Sequence, residues 1–276
     1  MHYGIGRSQC QRVGLIGPRA TSGRPCGRLP GLRFVSHRAD RFSYRFTSRT
    51  LCQMAQRLVI PSREEVDREL VVARPWWQFS VRFNVAISQS IPVARVHERE
   101  SEGVMMRWGL AQKTAGGTIN FTNCGSVRSD ALNSAQNLSR MWVCGQRGIV
   151  PLAGFYLWQR APAGHDQPYY VRLVNRPIFG VAVLWERAEA NDEVIESCAL
   201  ITVDANPLLA EIDPATGQMP AILCSEDYNT WLSSTVDQVN QLLRPYPHTR
   251  MVCHPVAPYV NHLEFDEPHL IRPADR

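Results

Sequence analysis

The sequence predicts an α+β domain built on an antiparallel or barrel-like β-sheet with a few flanking helices. Three observations carry that prediction. From residue 51 onward the chain falls into short apolar runs, several rich in β-branched residues and separated by Gly, Pro, Asn and Asp. Helix signals are few, and strands and helices do not alternate as βαβ units would require. With 276 residues, 44% hydrophobic and 20% charged, the chain can bury a core and lacks the composition of a disordered or fibrous protein.

In chain order, strands are expected at 81–85, 91–96, 104–108, 148–151, 155–159, 169–173, 179–185 and 198–203. A helix is expected over 62–70, where Ser62 and Glu65 have the spacing of a capping box. A second covers 206–212, with Pro207 at the first helical position. A third is read over 225–243.

The formal charge of +5 is unevenly placed. Residues 1–50 hold ten arginines, no lysine and one acid, Asp40, a net of +9. Removing them from the totals of 30 basic and 25 acidic residues leaves 20 and 24, a net of −4 for 51–276. Any nucleic-acid binding by the body must therefore rest on positioned residues rather than on bulk charge. The first 50 residues read as a disordered Arg-rich extension or as upstream sequence that is not translated. A mitochondrial-type presequence, also Arg-rich and acid-poor, is the third alternative. No apolar run suits a signal peptide or membrane span, so no membrane association is expected. The eight cysteines contain no C-x-x-C pair and the eight histidines no H-E-x-x-H, so neither a metal nor a cofactor is expected.

Eight segments together resemble one family. They are Arg82-Phe83-Asn84-Val85-Ala86, Met106-Arg107-Trp108-Gly109-Leu110, Arg128-Ser129-Asp130, Gly148-Ile149-Val150-Pro151 with Gly154-Phe155-Tyr156, Gln167-Pro168-Tyr169-Tyr170, Ile201-Thr202-Val203-Asp204-Ala205-Asn206, Met219-Pro220-Ala221-Ile222-Leu223 and His254-Pro255-Val256. In this order they resemble the SRAP family, the SOS-response-associated peptidases or abasic site processing proteins. The resemblance covers 51–276 and leaves 1–50 without a counterpart.

The resemblance implies a particular chemistry. An abasic site in single-stranded DNA ring-opens to an aldehyde. A cysteine at the mature N-terminus presents a thiol and an α-amine, which close on the carbonyl carbon as a thiazolidine, a covalent DNA–protein crosslink. In the family a Glu assists proton transfer, an Asn orients the site and a His acts as acid or base on the sugar. Two cysteines here could be the nucleophile. Cys52 lies 30 residues before Arg82, near the family's spacing, whereas Cys26, followed by the family-like Gly27-Arg28, lies 56 before it. Cys52 is the favoured position and Cys26 the alternative. The residue before Cys52 is Leu51, which suggests an alternative initiation codon read as Met, whose removal would expose Cys52.

The other positions of chemistry depart from the family. Its Glu falls on Leu157, its His on Asp213 and its Asn on Ser126, with Asn120 or Asn123 as substitutes for the last. These three changes predict impaired catalysis. The DNA-binding positions are better kept: Arg82, Asn84, Trp108 and Arg128 match the family's groove, and Trp76-Trp77 offers further stacking. Each also suits a plainer role, an Arg as a solvated surface group and Trp108 as core packing. A cysteine-protease reading finds no Cys–His pair, so any proteolysis would be self-cleavage releasing the N-terminal cysteine. The expectation is an abasic-site processing protein of the bacterial DNA-damage (SOS) response. It would be cytoplasmic and nucleoid-associated, a monomer, with single-stranded DNA carrying abasic sites as partner. The alternative is a catalytically dead module that only binds single-stranded DNA or a partner protein.

Overall fold

The computed structural model describes residues 13–14 and 57–274 apart from 115, 135, 163 and 191; the side chains of Val13 and Gln136 are also outside the description. Cys26 and Cys52 lie outside the described residues. In chain order the principal elements are β1 Arg57–Ile60, α1 Arg63–Glu69, β2 Arg82–Ala86, β3 Ser90–His97, β4 Glu100–Trp108, the hairpin β5 Ala111–Lys113 and β6 Ile119–Phe121, and β7 Ser126–Arg128. They continue with α2 Gln136–Val143, β8 Arg147–Leu152, β9 Gly154–Gln159, β10 Gln167–Leu173, β11 Phe179–Ala190, β12 Glu193–Asp204, α3 Pro207–Ile212, β13 Gln218–Pro220 and β14 Ile222–Leu223. Last come α4 Tyr228–Ser233, α5 Val236–Asn240 and β15 Met251–Pro255.

Five strands close a barrel in the order β12–β11–β8–β3–β4 and back to β12. A ring with an odd number of strands cannot be antiparallel at every junction. The unavoidable parallel junction is β4 with β12, where Arg107 opposes Ser197 and Trp108 opposes Cys198. Immediately after it Gly109, at φ +110°, turns the chain and donates its N–H to the Cys198 carbonyl at 2.8 Å. The Met106–Leu110 motif therefore does architectural work at the barrel seam.

A second sheet, β15–β10–β9–β1–β2, is antiparallel throughout. Successive side chains point to opposite faces, so its two faces carry different residues. Leu58, Ile60, Phe155, Leu157, Val171 and Leu173 join the main core. Val59, Tyr156 and Tyr170 form a smaller core with Val256, Val260 and Leu270 of the C-terminal segment, which straps the outer face.

Local signals explain the helix starts. The Ser62 hydroxyl accepts from the Glu65 N–H at 3.3 Å and the Glu65 carboxylate from the Ser62 N–H at 3.0 Å, the expected capping box. Asn206 caps α3, its side-chain oxygen accepting from the Leu209 N–H at 3.1 Å. The single helix expected over 225–243 is instead divided. Ser234 leaves α4 in an extended conformation, and Thr235 with Gln238 forms a second capping box that starts α5.

Candidate functional site

Where β9 ends, β10 begins and β1 enters the second sheet, a cavity of about 510 Å³ opens. Its lining comes from five places in the chain. β9 supplies Leu157 and Trp158, β1 supplies Arg57, the turn after α3 supplies Asp213 and Thr216, and the β9–β10 loop supplies Arg160, His165 and Asp166. Asn261 of the C-terminal strap completes it and accepts the Trp158 indole N–H at 2.8 Å. Leu157 and Asp213, 56 residues apart in sequence, thus meet at one site.

Leu157 cannot move a proton, and Asp213 is already engaged by its own turn. Leu157 is a buried hydrocarbon floor. Asp213 accepts from the Thr216 N–H at 3.2 Å with one carboxylate oxygen and from the Thr216 hydroxyl at 2.7 Å with the other, closing the turn after α3. Partial burial pushes the Arg57 guanidinium below the usual arginine range, and arginine stays cationic in proteins nonetheless. Arg160 and His165 are exposed at the cavity.

The structure does not bring the other expected residues to this lining. Ser126 is buried in β7, paired in parallel with β12. Trp108, expected to stack on bases, has no exposure, and its indole N–H donates to the Gly125 carbonyl at 2.7 Å. Asn84, expected to line the groove, is also buried and donates to the His262 and Phe265 carbonyls, both at 2.9 Å. Each of these two side chains is spent on packing or on holding the C-terminal strap. Arg82 is ion-paired with Asp266, whose carboxylate also accepts from the Asn84 N–H at 2.8 Å. Arg128 retains some exposure and holds Asp130 at 2.7 Å, which keeps that carboxyl below its usual range. In the Trp76-Trp77 pair, Trp77 is core and Trp76 is 65% exposed.

Sequence reasoning passed over Arg57, Arg160, His165 and Asp166. No spacing marks them, because they gather only when β1, β9 and β10 pair. Trp158 follows Leu157 in the strand expected over 155–159, and its position at the cavity follows once Leu157 is placed there.

The family model described as SOS response associated peptidase (SRAP) matches residues 48–263. The chain belongs to the SRAP family. The matched span of this SRAP chain begins four residues before Cys52 and excludes Cys26. It is similar to the Mus musculus protein named abasic site processing protein HMCES, at 26% identity over 82% of this chain and 76% of that one. It is also similar to abasic site processing protein YoaM of Bacillus subtilis (strain 168), at 26% identity over 68% of this chain and 82% of the relative. Among solved structures, a Bordetella bronchiseptica protein superposes with a TM-score of 0.62 at 22% identity, covering 73% of this chain and 98% of that one. A Bacteroides thetaiotaomicron protein does so with a TM-score of 0.60 at 24% identity, over 69% and 84%. Both likenesses concern the fold.

Proposed function

We propose that this SRAP protein captures abasic sites in single-stranded DNA, with Cys52 as its N-terminal residue and the Leu157–Asp213 cavity as the place of reaction. The observation that carries the reading is the meeting of Leu157 and Asp213 in one cavity beside Arg57. Those are the two positions at which the family resemblance places proton-transfer groups. Cys52 precedes Arg57 by five residues, a span of at most about 17 Å, so its thiol and amine stay within reach of the cavity. The family match that begins at residue 48 supports Cys52 over Cys26.

In this reading DNA contact falls on Arg57 and Arg160 for phosphates and on Trp158 for stacking, all at the cavity. Because the body carries net −4, binding is expected to be weak and steeply salt-dependent. The test is a denaturing gel of an abasic oligonucleotide incubated with protein whose N-terminal residue is Cys52. A covalent adduct that disappears in Cys52→Ala supports the reading, and an adduct that survives the substitution contradicts the choice of nucleophile.

The locked Asp213 and the hydrocarbon at 157 favour a second reading, a module that binds single-stranded DNA without chemistry. It predicts equal affinity for abasic and intact strands and no adduct.

A further inference from the structure

We infer that His165 is the proton-transfer group of the cavity, standing in for the groups that Leu157 and Asp213 do not supply. The inference rests on the abasic-site reading and deepens it. Among the described residues, the charged and titratable groups facing the cavity are Arg57 from β1, Asp213 from the turn after α3, and Arg160, His165 and Asp166 from the β9–β10 loop. The two arginines are permanently cationic and cannot exchange a proton at neutral pH. Each oxygen of Asp213 accepts one hydrogen bond from Thr216, and an ionised carboxylate is acceptor-only, with no proton to donate. One oxygen of Asp166 accepts the Ala161 N–H at 3.3 Å, a bond that ties together the ends of the loop carrying His165. His165 is exposed, and among the described residues its ring has no hydrogen-bond or ion-pair partner. Among the described residues it is the one imidazole lining the cavity, and imidazole is the side chain that ordinarily exchanges its proton between pH 5 and 8.

The step balances with this one group. The Cys52 amine adds to the aldehyde carbon, giving a carbinolamine. The imidazolium of His165 then donates its proton to the carbinolamine hydroxyl, which departs as water and leaves an iminium ion. The Cys52 thiol adds to the iminium carbon, and the proton it loses returns to His165. One C–N and one C–S bond form, the C=O bond is lost, one water leaves, and nothing is oxidised or reduced.

The experiment measures the rate of adduct formation against pH for the protein carrying its native N-terminus and for its His165→Gln, His165→Ala and Cys52→Ala variants. An amine nucleophile and an imidazolium acid together require a bell-shaped profile. His165→Gln is expected to react about a hundredfold more slowly, in line with the usual size of general acid catalysis, and to lose one limb of the bell. Added imidazole is expected to restore His165→Ala. If His165→Gln keeps the wild-type rate while Cys52→Ala forms no adduct, the His165 assignment falls and the abasic-site reading stands. A slowed variant that keeps both limbs and ignores imidazole also overturns the assignment, because only a structural role explains it. Failure of the wild type to form any adduct overturns both.

Discussion

The Leu157–Asp213 cavity and the Arg82–Asn84–Asp266 clasp flank the same five-stranded sheet, and both contain residues of the family motifs. In the clasp the polar groups are turned inward. Asp266 holds Arg82 and the backbone N–H groups of Phe83 and Asn84, while the Asn84 amide holds two carbonyls of the C-terminal strap. At the cavity two arginines, a histidine and a half-buried tryptophan line open volume. A motif residue whose hydrogen bonds are completed inside the fold serves architecture. One that lines a cavity with capacity left over is available to a ligand. Trp108 falls on the architectural side with the clasp, since its ring fills the barrel core and its N–H is satisfied.

Four substitutions can break this contrast. Trp108→Ala is expected to have the largest effect, a loss of about 3–5 kcal/mol of stability measured by urea unfolding, as for other large-to-small changes at fully buried aromatics. Should Trp108→Phe keep its stability and still lose DNA affinity, Trp108 would have to be moved to the binding side. Asp266→Ala comes next, at about 2 kcal/mol, because it strands two backbone donors and the Arg82 guanidinium. Its signature is faster proteolysis of the strap over 256–272, and unchanged proteolysis would show that the clasp does not hold it.

On the cavity side the effects are on reaction and binding. Leu157→Glu is expected to raise the rate of adduct formation at least about tenfold by supplying a carboxylate for proton transfer, at a cost in stability because the position is buried. A variant that folds and gains nothing would show that Leu157 does not occupy a position of chemistry. Arg160→Ala is the mildest. Stability should stay within about 0.5 kcal/mol, and the slope of log affinity against log salt should fall by about 1, as for one lost phosphate contact. An unchanged slope would remove Arg160 from the DNA path.

Much of the frame was readable in the chain because its signals are local. The eight expected strands all appear, β-branched runs punctuated by turn residues being sufficient to place them. The capping pairs at Ser62–Glu65 and Asn206–Pro207 mark their helices directly. The division of 225–243 was also written there, in Thr235 and Gln238, although helical periodicity on both sides concealed it. β1 and β15 went unread because each is a short run completed only by pairing with distant strands. The site was legible in part. Leu157 and Asp213 could be named by resemblance, but their shared cavity depends on contacts between β9 and the turn after α3. The burial of Trp108 and Asn84 could not be separated from DNA contact by residue type, since Trp suits a core as well as a base stack and Asn clasps carbonyls as readily as it lines a groove.

The central claim is that Cys52, acting beside the Leu157–Asp213 cavity, is the residue that captures the lesion. Peptide mapping of the protein after reaction with an abasic oligonucleotide tests it most directly. Tryptic cleavage after Arg57 isolates residues 52–57. The account predicts that the DNA remnant is found on that peptide, which begins at Cys52, with the mass of one water lost in joining. A remnant on any other peptide, or its absence altogether, would contradict it.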